Sequence, residues 1–258
     1  MIHPTAIVDP GAVIGSDVVI GPYCIIGDKV EIGNGTWLQH HITVLGPTKI
    51  GKNNRFHAYA SIGQQSQDLK YAGEPTYLEI GDDNNFREFV TVNRGTLPGT
   101  KTIIGSHNHF LSYAHVAHDC IVGSHCIFSN NGTLAGHVTV EDHVIIGGLT
   151  AVHQFCRLGK FAMTGGCSKI VQDVAPFTIA DGNPARTRGV NLVGLQRHGF
   201  AEEQITALRG AFKTLYRSQL NTGQALDQIR ATSPDANVQH LIDFVASSQR
   251  GITTAGRE

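Results

Sequence analysis

The sequence predicts an all-β parallel β-helix, a solenoid wound from six-residue repeats, followed by a small α-helical C-terminal domain. Three observations carry this: an apolar residue recurs at every sixth position, glycine repeatedly follows it, and the period changes to a helical one near the C-terminus. Counting by sixes from Ile2 gives Val8, Ile14, Ile20, Ile26, Ile32, Leu38, Val44, Ile50, Phe56 and Ile62. The series resumes at Ile80, Phe86 and Val92, then runs from Ile104 through Phe110, Val116, Val122 and Phe128 to Ile170, with Thr164 its one polar member. Neither a 3.6-residue helix nor an alternating strand has this period. A coil of three short strands joined by tight turns, about 18 residues per coil, does.

In such a coil the aliphatics point inward, and glycine or asparagine is expected where the turns need φ > 0. Cys24, Cys120, Cys126 and Cys156 lie four residues after a repeat aliphatic, in a column shared with Ala6, Ala12, Ala60, Ala114, Val138 and Thr150. They read as small inward-facing core residues. Two interruptions, near 64–78 and 97–101, are loops on the scaffold, and long loops on a repeat usually carry function. The coil is expected over 1–190 and the helical domain over 191–258. In the latter Ile205, Leu208, Phe212, Leu215 and Tyr216 form one apolar stripe, and Ser233-Pro234 reads as the N-cap and first residue of a last helix with Val238, Leu241, Ile242 and Val245.

The chain has 258 residues and a formal net charge of −1. That balance argues against nucleic acid or an anionic membrane as partner. No apolar run approaches the roughly 20 residues that span a bilayer. The N-terminus MIHPTAIVDP lacks the basic and apolar regions of a secretory signal. Five cysteines without a CxxC pair point to reduced thiols in a cytoplasmic protein rather than a disulfide scaffold or zinc ribbon.

The coil converts spacing into geometry, because residues 18 apart stack about 4.8 Å from one another. From His118 the register falls on Gly136 and Gln154, while His137 and His153 each stand one residue away. These side chains are expected to line one edge of three successive coils, with His115 close to the same turn. Asp119 directly follows His118 and can hold its imidazole in one tautomer. A second column, His107, His125 and His143, shares its repeat position with Asp17, Asn53 and Asp83 and reads as a solvated turn.

A His-Asp pair on a rigid edge suits general-base chemistry, such as deprotonating a sugar hydroxyl for attack on a thioester. A glycine N–H such as that of Gly136 can hold the resulting oxyanion. No serine or cysteine is arranged as a covalent nucleophile, so direct transfer without cofactor or metal is the simpler reading. The competing one is a zinc hydratase, since three histidines can make a catalytic zinc site. A non-catalytic scaffold is the third, and it leaves the His118–Asp119 edge without a purpose.

The segments SQDLKYAGEPT (66–76), NRGT (93–96), HVAHDC (115–120), LAGHV (134–138), GGLTAVHQFC (147–156), GGCS (165–168), DGNPA (181–185) and GVNLVGLQRHGF (189–200) resemble the UDP-N-acetylglucosamine O-acyltransferases of the hexapeptide-repeat superfamily. The resemblance runs along nearly the whole chain. It implies a left-handed coil and a cytoplasmic homotrimer with sites between subunits. It implies transfer of a 3-hydroxyacyl chain from acyl carrier protein to the glucosamine 3-hydroxyl of UDP-N-acetylglucosamine, the first step of lipid A biosynthesis. By motif position His118 is the general base, Asp119 its orienting partner and Gly136 the oxyanion donor. Asp68, Lys70, His115, His137, His153, Gln154, Asn191 and Arg197 fall at the nucleotide sugar, where Lys70 and Arg197 suit a diphosphate.

Gly166 falls at the acyl groove, with Met163 and Pro184 shaping that end; a glycine there leaves the groove open to a longer chain. Arg209, Lys213 and Arg217 can meet the acidic carrier protein or form an ordinary exposed helix face. Asn93 stands where a histidine often precedes RGT, and Val193 where an acidic residue can occur; both bear on contacts at the nucleotide. The related N-acyltransferase of the same pathway is the near alternative, and it is expected to carry an additional N-terminal uridine-binding domain, whereas here the coil begins at Ile2.

Overall fold

In the computed structural model, residues 1–232 and 235–255 are described. The chain winds as a left-handed parallel β-helix of triangular section. Among the described residues its short strands form three sheets of nine, eight and ten strands. The first face holds strands such as His115–Val116 and Thr133–Leu134, the second Ile121–Val122 and Thr139–Val140, the third Ile127–Phe128 and Ile145–Ile146. Partners in neighbouring coils are 18 residues apart, as Ile121 and Thr139 are. At the interruptions Ser61 pairs with Thr91 and Thr91 with His115, offsets of 30 and 24. Both are multiples of six, so the repeat keeps its phase through the insertions.

The repeat residues fill the interior. Phe56, Phe86, Phe110 and Phe128 stack in succession with centroids 4.8, 4.7 and 4.6 Å apart. Each such pair contributes about 0.5–1.5 kcal/mol beyond the area it buries. Cys24, Cys120, Cys126 and Cys156 are buried, while Cys167 is exposed at a corner. Thr164 is fully buried and accepts the Gly147 N–H at 2.9 Å, which satisfies the one polar repeat residue. The column of small residues also holds an asparagine ladder: Asn54 Oδ1 accepts the Asn84 N–H at 3.0 Å, and Asn84 Oδ1 the Asn108 N–H at 2.9 Å.

The repeated glycines serve a different purpose from the one expected. Of those that follow a repeat aliphatic, Gly63 alone has positive φ. The left-handed seats lie two residues further on and are taken by Asp17, Tyr23, Asn53, Asp83, His107, Asp119, His137 and others. Glycine is required instead because successive coils touch at the corners: a Cβ at Gly105 would stand 2.6 Å from the Gly123 carbonyl oxygen. Each left-handed non-glycine residue costs about 1–2 kcal/mol. Stacking along the corners offsets part of it.

The stretch after Ile170, where the six-residue series ends, contains an antiparallel hairpin, Thr178–Gly182 with Ala185–Val190, that extends the third sheet. Among the described residues four helices follow: α1 (Leu192–Arg197), α2 (Glu202–Arg217), α3 (Thr222–Thr232) and α4 (Ala236–Ala246). Ile205, Leu208, Leu226, Leu241 and Ile242 pack with Phe161, Ala175 and Phe177 of the last coils in a second core. The sequence stripe on α2 faces this core, whereas α1 and α3 carried no clear signal. Ser233 and Pro234 lie outside the described residues; the observed cap of α4 is Asp235, whose carboxylate accepts the Asn237 and Val238 N–H groups at 2.8 and 3.1 Å. No helix of the described residues is long and apolar enough to cross a membrane.

Candidate active site

Both long loops, 65–76 and 94–100, leave the corner between the first and second faces. The next three coils bring residues 117–120, 135–138 and 153–156 to the same corner. Three columns run down it: Ala117, Ala135 and His153; His118, Gly136 and Gln154; Asp119, His137 and Phe155. His137 therefore stacks under Asp119 rather than under His118, which explains its one-residue offset. Its ring lies 4.7 Å from Phe155, nearly parallel, and 5.1 Å edge-on from His118.

His118 Nδ1 lies 2.9 Å from Asp119 Oδ2, and the two side chains are only 12% and 8% exposed. Asp119 takes the left-handed seat of its turn, φ 58°, which folds its carboxylate back onto the preceding ring. The carboxylate also accepts the Thr96 N–H at 3.1 Å, and the Asp119 N–H donates to Thr102 Oγ1 at 2.8 Å. Burial raises the Asp119 carboxyl, but hydrogen bonds from Thr100 and His118, the charge of His137 and the bond from Thr96 outweigh it and hold the group below its ordinary value. With Nδ1 engaged, Nε2 of His118 is the nitrogen left to react; its nearest carboxylate is Asp68, at 3.9 Å.

Gly136 lies against this ring. A Cβ there would overlap the His118 imidazole, so only glycine lets the coil pass so close. Its N–H donates to no protein acceptor among the described residues. Ser66 Oγ lies 2.6 Å from Thr96 Oγ1 and joins the two loops that cover the corner; within the first the Asp68 N–H donates to Ser66 at 3.1 Å, and Asn93, in the strand that leads into the second, donates to the Gln65 carbonyl at 3.1 Å. His115 bonds Thr91 through Nδ1 at 2.7 Å. Burial, helped by the charge of His118, lowers its pKa and so favours the neutral form.

The remaining expected residues divide. Lys70, His153 and Gln154 are exposed at this corner. Asn191 and Arg197 are elsewhere. Asn191 caps α1, accepting the Gly194 N–H at 3.1 Å and donating to the Phe161 carbonyl at 3.0 Å. Arg197 is exposed in the last turn of α1, next to His198, whose ring stands 5.1 Å from both His143 and Phe161 at the corner between the second and third faces. Met163 lies on the third face, Gly166 at the corner between the third and first, and Pro184 in the hairpin turn. A Cβ at Gly166 would touch only the Gly148 carbonyl oxygen, at 3.4 Å. Within one chain these residues do not meet His118.

The chain matches the family model described as Udp N-acetylglucosamine O-acyltransferase, domain 2, over residues 173–253, and that of the bacterial transferase hexapeptide (six repeats) over 1–34. LpxA from Acinetobacter baumannii is 49% identical over 98% of this chain and 99% of its own, with a TM-score of 0.95. The UDP-N-acetylglucosamine O-acyltransferase of Moraxella catarrhalis is 46% identical over 98% and 99%, TM-score 0.94. That of Bacteroides fragilis is 38% identical with the same coverage, TM-score 0.95. The chain belongs to the UDP-N-acetylglucosamine acyltransferase family.

Several residues that build this corner escaped sequence reasoning. Phe155 was accessible, since it stands 18 residues beyond His137. Ser66, Thr100 and Thr102 were not: their roles depend on the path of two irregular loops, and a hydroxyl carries no periodic signal. The column His107, His125 and His143 stacks at 4.9 and 4.8 Å on left-handed turn seats and is extended by Phe161. The ligand atoms of His118, Asp119 and His137 lie within 4.8 Å of one another, a spacing a divalent cation could bridge.

Proposed function

We propose that this protein transfers a 3-hydroxyacyl chain from acyl carrier protein to the 3-hydroxyl of the glucosamine ring of UDP-N-acetylglucosamine, beginning lipid A synthesis in the cytoplasm. The observation that carries the mechanism is the His118 Nδ1 to Asp119 Oδ2 bond of 2.9 Å, which leaves Nε2 free as a base. Nε2 takes the proton of the sugar hydroxyl as its oxygen bonds to the thioester carbonyl carbon. The Gly136 N–H receives the oxyanion. Collapse breaks the carbon–sulfur bond, and the departing thiolate takes the proton back from the imidazolium. Direct transfer is supported by the cysteines: burial pushes the Cys120 and Cys126 thiols up to about 12, which disarms them as nucleophiles.

Assembly as a homotrimer is supported by the division of the expected residues between opposite sides of the coil. His118, Gly136, His137 and Gln154 occupy one corner, while Asn191, Arg197, Met163, Gly166 and Pro184 lie on or beside the third face. A neighbouring copy that presents its third face to this corner unites them. Tyr23, Tyr59, Phe89, Tyr113 and Leu149, at 58, 47, 40, 55 and 63% exposure, form with the interleaved His41 and Asn131 a largely apolar column at one edge of that face, the kind of surface that copies of a chain tend to cover.

The spacing of His118, Asp119 and His137 keeps the zinc reading alive, but the Asp119 carboxylate is already occupied by His118 and Thr96. The test is a transfer assay with purified protein, UDP-N-acetylglucosamine and a panel of 3-hydroxyacyl carrier proteins, with and without chelator. Chelator-insensitive product is expected. His118→Ala is expected to lower turnover by roughly 100-fold or more while the protein stays folded. Near-normal turnover in that variant, or activity lost to chelation and restored by zinc, would remove His118 as the base.

A further inference from the structure

We propose that the Thr100 hydroxyl is a positioning group for acyl transfer: it fixes the Asp119 carboxylate and, through it, the tautomer and plane of His118. The inference rests on the reading of His118 as the base. Thr100 Oγ1 accepts two backbone N–H groups, from Thr96 at 3.1 Å and from Leu97 at 3.2 Å. A hydroxyl has two lone pairs and one proton. With both lone pairs taken, the proton must find an acceptor. The Thr96 N–H is shared between Thr100 Oγ1 and Asp119 Oδ2, 3.1 Å from each, which sets the carboxylate beside the hydroxyl. An ionised carboxylate only accepts. The hydroxyl proton therefore goes to Asp119, and of the influences that lower the Asp119 carboxyl the Thr100 hydrogen bond is the largest.

The loop holds Thr100 through a set of backbone hydrogen bonds. Residues 97–100 close a turn in which the Thr100 N–H donates to the Leu97 carbonyl at 2.9 Å, with Pro98 and Gly99 at its centre and Gly99 at φ 77°, the seats a type II turn assigns to proline and glycine. The Gly99 N–H donates to the Pro75 carbonyl at 2.9 Å and the Gly95 N–H to that of Tyr77 at 3.2 Å. Ser66 holds Thr96 from the other loop. Asp119 is nearly buried, so a lost donor there is not replaced at no cost by water.

The experiment is steady-state kinetics of full-length Thr100→Val and Thr100→Ser with UDP-N-acetylglucosamine and a 3-hydroxyacyl carrier protein, over pH 5–9. Thr100→Val is expected to lower kcat about tenfold, the scale of one hydrogen bond to a charged group, with KM for the nucleotide sugar little changed. Thr100→Ser should recover most of the loss. Wild-type kcat in Thr100→Val, a deficit confined to KM, or equal impairment of the serine variant would overturn the proposal. Thermal unfolding accompanies each variant, and Thr100→Ala replaces valine should that variant not fold. His118→Ala and Asp119→Asn are assayed alongside. If they retain turnover the base assignment itself fails, whereas their loss with a normal Thr100→Val rejects only the role of Thr100.

Discussion

His118 and Asp119 are neighbours in sequence, and the backbone of the turn brings about the hydrogen bond between their side chains. The left-handed conformation of Asp119 supplies it by turning the carboxylate back over the ring, at a cost of about 1–2 kcal/mol. Burial and the donors of the loop 94–100 then keep the pair in one arrangement. Gly136 sets the opposite wall. Gly136→Ala places a Cβ inside the space of the imidazole, and since backbone cannot yield, the ring must. Turnover is expected to drop by roughly 10- to 100-fold, the range for a displaced base or lost oxyanion donor, with little change in thermal unfolding. Kinetics and calorimetry on the same preparation check this; full activity would show that the close approach has no part in catalysis.

At the scale of elements, the corner between the second and third faces shows how stacked turns interact. His107, His125, His143 and Phe161 are successive rungs, and α1 closes on them through His198. Burial lowers the pKa of His143, aided by His125, His198 and Lys160 and opposed by Asp142. Its Nδ1 is buried without a hydrogen-bond partner among the described residues. A histidine with a lowered pKa in the fold binds fewer protons than in the unfolded chain. Stability from His143 and His115 is therefore present above the ordinary histidine pKa of about 6.5 and is lost as pH falls below it. His143→Phe extends the Phe161 stack, suits a seat that Phe161 itself occupies with φ 57°, and removes the unpaired nitrogen. The variant is expected to unfold at higher temperature and to lose less stability between pH 7.5 and 5 than the parent. An unchanged pH dependence would assign the acid sensitivity to other groups.

For the whole molecule, the separation of Arg197 from His118 decides what assembly must do. If a site takes His118 from one copy and Arg197 from its neighbour, two inactive chains can complement each other. Co-expression of His118→Ala with Arg197→Ala is expected to restore about one quarter of wild-type turnover, because random closed rings join the two intact partners at one interface in four. Each variant alone remains inactive. No recovery in mixed assemblies of verified composition would place both residues in the same chain's site.

The sequence by itself determined the solenoid, the inward columns, the preserved phase and the corner that carries the histidines, because a repeat of constant length fixes which residues stack. The same arithmetic made the second histidine column a set of turn seats, but taken from His118 it left His137 one residue out of register, and only the structure seats His137 between Asp119 and Phe155. It could not tell that the recurring glycines answer a close approach of coils while Tyr23, His125 or Phe155 take the strained seats, since those seats hold aromatic, aliphatic and polar residues alike and carry no glycine-like signature. Nor could it find the hairpin after Ile170, the cap Asp235, or the hydroxyls of Ser66 and Thr100. Only the tertiary structure decided those. Hydrogen bonds within irregular loops depend on where each backbone turns, and no period in the sequence records that path.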